Sequence, residues 1–240
     1  MLFRSDYPHI PTQYVLGKSS SRIVKLNLKK HGEIVGYIDG AGDQIPFALE
    51  QMGYDVKMLS DEEILMDRLD KYDAIITGIR AYNTNKRIGN YQPHLMKYVE
   101  NGGTMIVQYV TVRGMNIEEI GPYPIQLSHE RISEEDAELR FLAPEHPVLN
   151  TPNKITQADF DGWVQERGLY FATTWDDRYT PILAGHDKGE PDRAGGMLVT
   201  KYGKGYYIYS GYSWFRELPA GIPGAYRLFA NMVSLGNNKK

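Results

Sequence analysis

No cysteine occurs in the 240 residues. Disulfides, zinc ribbons and a cysteine nucleophile are thereby excluded, although the redox compartment stays open. No apolar run approaches the roughly 18–20 residues of a membrane span, so none is expected. The opening stretch, MLFRSDYPHIPTQY, lacks the basic-then-apolar pattern of a signal peptide. An excess of one charge is also missing. Lys and Arg number 27 against 30 Asp and Glu, a net charge of −3. A nucleic-acid module would carry a basic surplus, so no nucleic-acid partner is expected. The six histidines (His9, His31, His94, His129, His146 and His186) form no H-x-H, H-x-x-H or H-E-x-x-H pair. A metal site would need ligands from distant segments, such as His129, Glu130, Glu145 and His146. We expect no metal and no cofactor, and read His146-Pro147 as a turn.

What is present is ordinary for a globular chain: 42% hydrophobic and 24% charged residues, with 18 tyrosines as the oddity. Residues 1–32 read as an extended arm, because Pro8 and Pro11 bias their predecessors away from helix. A Gly-Ser-rich turn at 17–21 and an edge strand follow, in which Val24, Leu26 and Leu28 alternate with polar residues. Residues 33–236 read as a single α/β domain. Apolar strands are expected at 33–39 (EIVGYID), 54–59, 73–78 and 104–110. Between them lie a helix carrying Ile45, Ala48, Leu49 and Met52, and one capped by Ser60 with Glu63 that turns Ile64, Leu65 and Leu69 inward. After a polar loop at 79–91 comes a helix with Leu95, Tyr98 and Val99. Strands joined by single helices imply parallel pairing and a sheet buried on both faces. The proline-punctuated stretch 111–175 predicts irregular excursions and short strands. Residues 197–202 and 204–209 predict an added antiparallel hairpin, and 223–235 a closing helix with Ala225, Leu228, Phe229, Met232 and Val233 buried. The tail at 237–240 is expected to fray.

An open parallel sheet binds ligands at the carboxyl ends of its strands. That rule selects the loops at 40–43, 78–84 and 109–114, with 210–217 (SGYSWFRE) joining if its strand shares the sheet. Gly40-Ala41-Gly42 at a strand-to-helix junction suits an anion, but no third glycine follows, and Asp43 suits a helix cap better than a phosphate neighbour. Arg80, Tyr82 and Asn83 combine a guanidinium, a phenol and an amide able to hold a carboxylate or sugar hydroxyls; an internal salt bridge and a turn cap explain them equally. The stretch Val107-Gln108-Tyr109-Val110-Thr111 holds no Ser or Cys between glycines, which disfavours a nucleophile elbow. Carboxylates cluster at 134–138, at Asp159 and Asp161, and at Asp176 and Asp177, where a glycosidase would need two facing each other. Trp163, Trp175 and Trp214 are candidate sugar-stacking surfaces.

Several longer motifs point one way together. They are Tyr7-Pro8-His9-Ile10-Pro11-Thr12-Gln13, Gly36-Tyr37-Ile38 through Gly40-Ala41-Gly42-Asp43, and Gly78-Ile79-Arg80-Ala81-Tyr82-Asn83. Gly102-Gly103-Thr104 through Gln108-Tyr109 and Gly162-Trp163-Val164-Gln165-Glu166-Arg167 follow. The last runs from Phe215-Arg216 through Leu218-Pro219-Ala220-Gly221 to Gly224-Ala225-Tyr226-Arg227-Leu228. Over nearly its whole length the chain resembles the C-terminal region of LmbE/PIG-L-type deacetylase-related proteins of Bacteroidetes-like bacteria. That region is similar to the class I glutamine amidotransferase-like (flavodoxin-like) fold and to ThuA-like proteins.

The resemblance implies an open, mostly parallel sheet flanked by helices. It also implies a cysteine after the fourth strand, or a histidine in ThuA-like relatives, where this chain has Tyr109. The family's zinc-dependent deacetylase lies in another domain with a His-Pro-Asp-Asp motif; the nearest match here is Glu145-His146-Pro147, so that activity is not carried over. The family pattern also favours Asn and Gln where this chain has Val110 and Glu217. The expectation is a non-catalytic accessory domain. It would bind a carbohydrate-like or anionic small molecule, or a deacetylase domain of the same parent protein. The ligand candidates are Gly40, Gly42, Asp43, Arg80, Tyr82, Asn83, Gln108, Tyr109 and Arg216. A hydrolase of amino-sugar or glycan substrates, with Asp/Glu and Tyr as acid and base, and a purely structural interaction domain are the alternatives. An exported parent would place the domain in the periplasm or outside the cell, with its signal upstream of Met1.

Overall fold

The computed structural model describes residues 2–16 and 23–236. The turn expected at 17–21 and the tail at 237–240 lie outside the described residues. The arm is a hairpin: β1 (Leu2–Tyr7) pairs antiparallel with β2 (Ile10–Leu16) in a sheet of its own. Residues 24–28 keep the alternating burial of a half-buried strand but pair with none. Side chains hold this stretch and the residues after it instead. Asn153 Oδ1 accepts the Lys29 amide at 2.9 Å, and Arg227 donates to the Asn27 carbonyl at 2.8 Å. An extended chain satisfied in this way needs no neighbouring strand.

The next stretch alternates strand and helix: β3 (Ile34–Ile38), α1 (Ile45–Gln51), β4 (Asp55–Met58), α2 (Asp61–Leu65), β5 (Ala74–Thr77), α3 (Ala81–Thr84), α4 (Ile88–Glu100) and β6 (Thr104–Gln108). An excursion follows with β7 (Ile125–Ile132), β8 (Leu139–Phe141), α5 (Pro147–Asn150), a 3-10 turn (Gln157–Phe160) and β9 (Gly168–Trp175). The chain closes with β10 (Thr180–Pro181), β11 (Leu183–Gly185), β12 (Met197–Tyr202), β13 (Gly205–Ser210), α6 (Trp214–Glu217) and α7 (Pro223–Ser234).

The central sheet has seven strands in the order β10-β12-β13-β6-β5-β3-β4. Strands β4, β3, β5, β6 and β13 run parallel; β12 and β10 add the antiparallel edge. Successive residues face opposite layers. Ile75, Met105 and Val107 pack with Ile64, Leu95 and Val99 on one face, and Ile76, Ile106 and Ile208 with Leu49, Val148 and Phe229 on the other. Two covered faces explain why the strands are continuous apolar runs. Burying a side chain such as Ile106, fully inaccessible, stabilises the fold by roughly 1.5–3 kcal/mol.

Four expectations need correction. Leu65 is 44% exposed, because α2 ends at that residue and only Ile64 and Leu69 turn inward. The loop at 79–91 is largely helical, with α3 inside it and α4 starting at Ile88 despite Pro93, which removes only one backbone donor. The fourth strand stops at Gln108, because Tyr109 turns the chain out at φ +48°. Finally, Trp163 and Trp214 are buried with Tyr212 and Phe229 in the core, so neither offers a sugar-stacking surface. The capping box of Ser60 with Glu63 and the His146 cap on the Val148 amide are both present.

Candidate functional site

Strand order reverses after β3, with β4 on one side and β5 on the other, so the usual ligand crevice lies between the loops after β3 and β5. Here those loops touch. The Ala41 amide donates to the Ile79 carbonyl at 2.8 Å. A Cβ on Gly40 would come within 2.1 Å of that oxygen, so only glycine permits the approach. The Asp43 carboxylate accepts the Ile79 amide (3.0 Å), the Ile45 amide (3.0 Å) and the Tyr37 hydroxyl (2.6 and 2.8 Å). Burial, and then the Asp43 charge, push the Tyr37 phenol far above its ordinary range, so it stays a donor. The donors that could meet an anion in this crevice thus meet a side-chain carboxylate. Gly42 (φ +91°) faces open space and supplies conformation only.

A second group of loops converges at the ends of β5, β6 and β13. The Arg80 amide donates to the Tyr109 carbonyl (3.1 Å), and the Tyr109 amide to the Ser210 carbonyl (2.9 Å). The exposed Arg80 guanidinium makes no hydrogen bond or ion pair with a described residue. Asn83 staples the loop after β6, donating to the carbonyls of Thr111 (2.9 Å) and Arg113 (3.2 Å) and accepting the Thr111 amide (3.0 Å). Tyr82 is fully buried and donates to Gln92 Oε1 at 2.7 Å, so it presents no surface to a ligand. Gln108 lies beneath the site, 1% exposed, its amide on the Thr77 carbonyl at 3.1 Å.

Tyr109 is the centre of the group. Its ring is edge-on to Phe215 (4.7 Å between centroids) and Tyr170 (5.3 Å), leaving it 8% exposed. Its hydroxyl donates to Glu166 Oε1 at 3.1 Å, an oxygen that also accepts from Ser213 Oγ (3.0 Å) and Arg216 Nε (3.2 Å). Arg216 lies 4.9 Å from the Phe215 ring and reaches Gln165 Oε1 as well. His129 extends the chain of rings, 5.8 Å from Tyr170. Burial, and then the Glu166 charge, raise the Tyr109 phenol above its ordinary range despite Arg216. It is a hydrogen-bond donor here, not an oxyanion.

Backbone strain marks the same place. Among the described residues, five that are not glycine have positive φ: Asp67, Arg80, Tyr109, Gln165 and Tyr170. The last four belong to this group. Such conformations cost about 1–3 kcal/mol each and persist where surrounding structure imposes them.

The structure therefore brings together Arg80, Asn83, Gln108, Tyr109 and Arg216, and holds Gly40, Gly42 and Asp43 in the closed crevice beside them. It adds Gln165, Glu166, Tyr170, Ser213 and Phe215. A sequence signal existed for Gln165 and Glu166, in the motif at 162–167, and for Ser213 and Phe215, at the exit of β13. Tyr170 had none. Most of the carboxylates considered from sequence lie elsewhere: Asp159 pairs with Arg227 (2.7 Å), Asp176 with Arg178 (2.7 Å), and Glu134 accepts the Lys188 amide (3.0 Å). Glu135 borders the group, accepting the Gln165 amide at 2.5 Å. Among the described residues no three His, Asp or Glu side chains converge as a metal site would require. A cavity of about 320 Å³ lined by Tyr72, Tyr98, His94 and Lys97 opens at the amino ends of the strands, away from these loops.

No protein-family model and no curated relative matches the sequence. Solved structures do match. A GMP synthase subunit from Thermoplasma acidophilum is 11% identical, with 87% of this chain and 96% of that one covered and a TM-score of 0.55. A ThuA-like protein from Bacteroides uniformis is 14% identical, with 90% and 95% covered and a TM-score of 0.52. A chain of PurLQS from Thermotoga maritima is 12% identical, with 84% and 98% covered and a TM-score of 0.52. At these identities the likeness speaks to fold. The chain has the glutamine amidotransferase-like α/β fold, shared with a ThuA-like protein, and carries Tyr109 where its fourth parallel strand ends.

Proposed function

We propose that the chain is a non-catalytic accessory domain of an LmbE-related protein, binding a carbohydrate-like or anionic ligand at the carboxyl ends of β5, β6 and β13. One observation carries the reading. The residue at the strained turn after β6 is a tyrosine whose hydroxyl is engaged by Glu166 and whose ring lies between Tyr170 and Phe215, while the neighbouring Arg80 guanidinium is unpaired among the described residues. An exposed guanidinium on a strand-end loop suits a carboxylate or a sugar bearing one. Titrating N-acetylglucosamine, glucosamine and glucuronate by NMR tests this. Arg80→Ala and Tyr109→Ala should each weaken binding at least tenfold; binding unchanged in both variants would move the site elsewhere.

A different observation favours a partner-binding reading. Residues 6–14 of the arm are all exposed, including Tyr7 (56%) and Tyr14 (61%). A lone two-stranded hairpin is marginal in water, and exposed aromatics mark contact surfaces. The partner would be the deacetylase domain of the same parent. Mixing that separately produced domain with wild type and with a Tyr7→Ser/Tyr14→Ser variant, followed by sedimentation, tests it: association lost in the variant supports the reading, and association by neither or by both rejects it.

A further inference from the structure

Behind Arg216 the short helix α6 carries a carboxyl group. Glu217 is fully buried. Its Oε2 accepts the Val164 amide at 3.0 Å, and its Oε1 meets no hydrogen-bond partner. With the bonds of Ser213 and Arg216 to Glu166, the Val164 bond joins α6 and its cap, which supply Ser213, Phe215 and Arg216, to the segment that supplies Gln165 and Glu166. The nearest buried cation does not neutralise the carboxyl directly. Arg167 donates from Nε (3.0 Å) and Nη2 (2.8 Å) to the Ala137 carbonyl, and from Nη1 to the Phe160 carbonyl at 2.7 Å. Tyr212, fully buried in the same core, also leaves its hydroxyl without a partner. The charged groups that act on Glu217 are Arg167 and Arg216, which favour the anion, and Glu135, which opposes it.

We propose that Glu217 is a positioning residue that latches residues 164–166 onto α6 as a neutral carboxylic acid, and that its ionisation loosens the Glu166 network around Tyr109. This rests on the site named above. The chemistry is a single proton. As an acid, Glu217 keeps one oxygen on the Val164 amide and buries no charge. As an anion, it keeps the Val164 bond, which favours the charge, but buries that charge with Oε1 unpartnered, which proteins disfavour strongly. Burial pushes the Glu217 carboxyl up to about 7, from an ordinary 4.5. Its stabilising effect is therefore complete below about pH 4.5 and lost as pH rises through about 7. A shift of that size corresponds to a change on the order of a hundredfold in the folding equilibrium constant.

The test needs no ligand, so its failure is distinct from failure of the binding site. Urea unfolding of wild type and Glu217→Gln is compared between pH 5 and 8.5, with amide hydrogen exchange of Val164, Gln165 and Glu166 corrected for intrinsic rates. Wild type should lose stability from pH 5 to about 7.5 and level off above it, with the protection of these amides falling through about pH 7, and the glutamine variant should lack that slope. If the variant does not fold, the Glu217 carboxyl is titrated directly in the wild-type protein by carbon NMR. A midpoint near 7, with amide shifts of Val164–Glu166 following it, supports the latch. Equal pH slopes in both proteins, or a midpoint near 4.5, overturns it.

Discussion

Asp43 and Ile79 meet across the place where an open parallel sheet receives its ligands, with the Asp43 Oδ2 accepting the Ile79 amide at 3.0 Å. The same carboxylate holds Tyr37 and the first turn of α1. Replacing it with alanine strands the buried Tyr37 hydroxyl and two amides. We expect Asp43→Ala to lose about 2–4 kcal/mol in urea unfolding, with Asp43→Asn closer to wild type. A loss below about 0.5 kcal/mol would mean the carboxylate is not a brace.

The two glycines of that loop are glycines for different reasons, and mutation separates them. A methyl at Gly40 overlaps the Ile79 carbonyl oxygen, whereas Gly42 has open space and φ +91°. Gly40→Ala should cost about 3 kcal/mol or more, or abolish soluble expression, as backbone must move. Gly42→Ala should cost only about 1 kcal/mol, the left-handed conformational term. Similar values for both would contradict the contact.

At the strained turn, Tyr109→Phe removes one hydrogen bond and keeps both ring contacts. Glu166 retains Ser213 and Arg216, so the expected loss is about 1 kcal/mol. Tyr109→Gly relieves the backbone yet empties the space between Tyr170 and Phe215. It should be the less stable of the two by about 2 kcal/mol despite its easier φ. Thermal and urea midpoints of the pair decide which contribution dominates.

Acid stability should depend on the capping box of α2. Hydrogen bonds from Lys71, from the Ser60 amide and hydroxyl and from Tyr72 hold the Glu63 carboxyl at about 2, below its ordinary 4.5. A depressed carboxyl stabilises the fold above about pH 4.5, and the contribution is lost as pH falls toward 2. With solvent screening the effect is about 1 kcal/mol. Glu63→Gln should flatten the stability profile between pH 4.5 and 2; a slope equal to wild type would reject the assignment.

Much of this was legible in the residues. Ser60 with Glu63, the alternation of 3.6-period and continuous apolar segments, and Pro223 opening α7 are local signals, and local signals survive folding unchanged. Arg80, Asn83, Tyr109 and Arg216 were also reachable, because the strand-end rule depends only on topology. Glu166 and Tyr170 were harder. They come from an excursion without helical period, and their approach to Tyr109 depends on how β9 packs beside β7, across 57 residues of chain in the case of Glu166. The tryptophans misled for a related reason, since an aromatic in sequence carries no sign of which side of a sheet it will meet.

Composition and pattern alone determined the class of the molecule. Periodicity set the parallel sheet, and the missing cysteine meant that whatever stands after β6 cannot act as a thiol. Only the tertiary structure decided what became of the two crevices that this sheet offers. One closes on Asp43 because Gly40 lets two loops touch. The other gathers around Tyr109 because four backbones are held at positive φ by distant neighbours. Close approach and imposed strain arise between segments far apart in the chain, and no local pattern of residues encodes them.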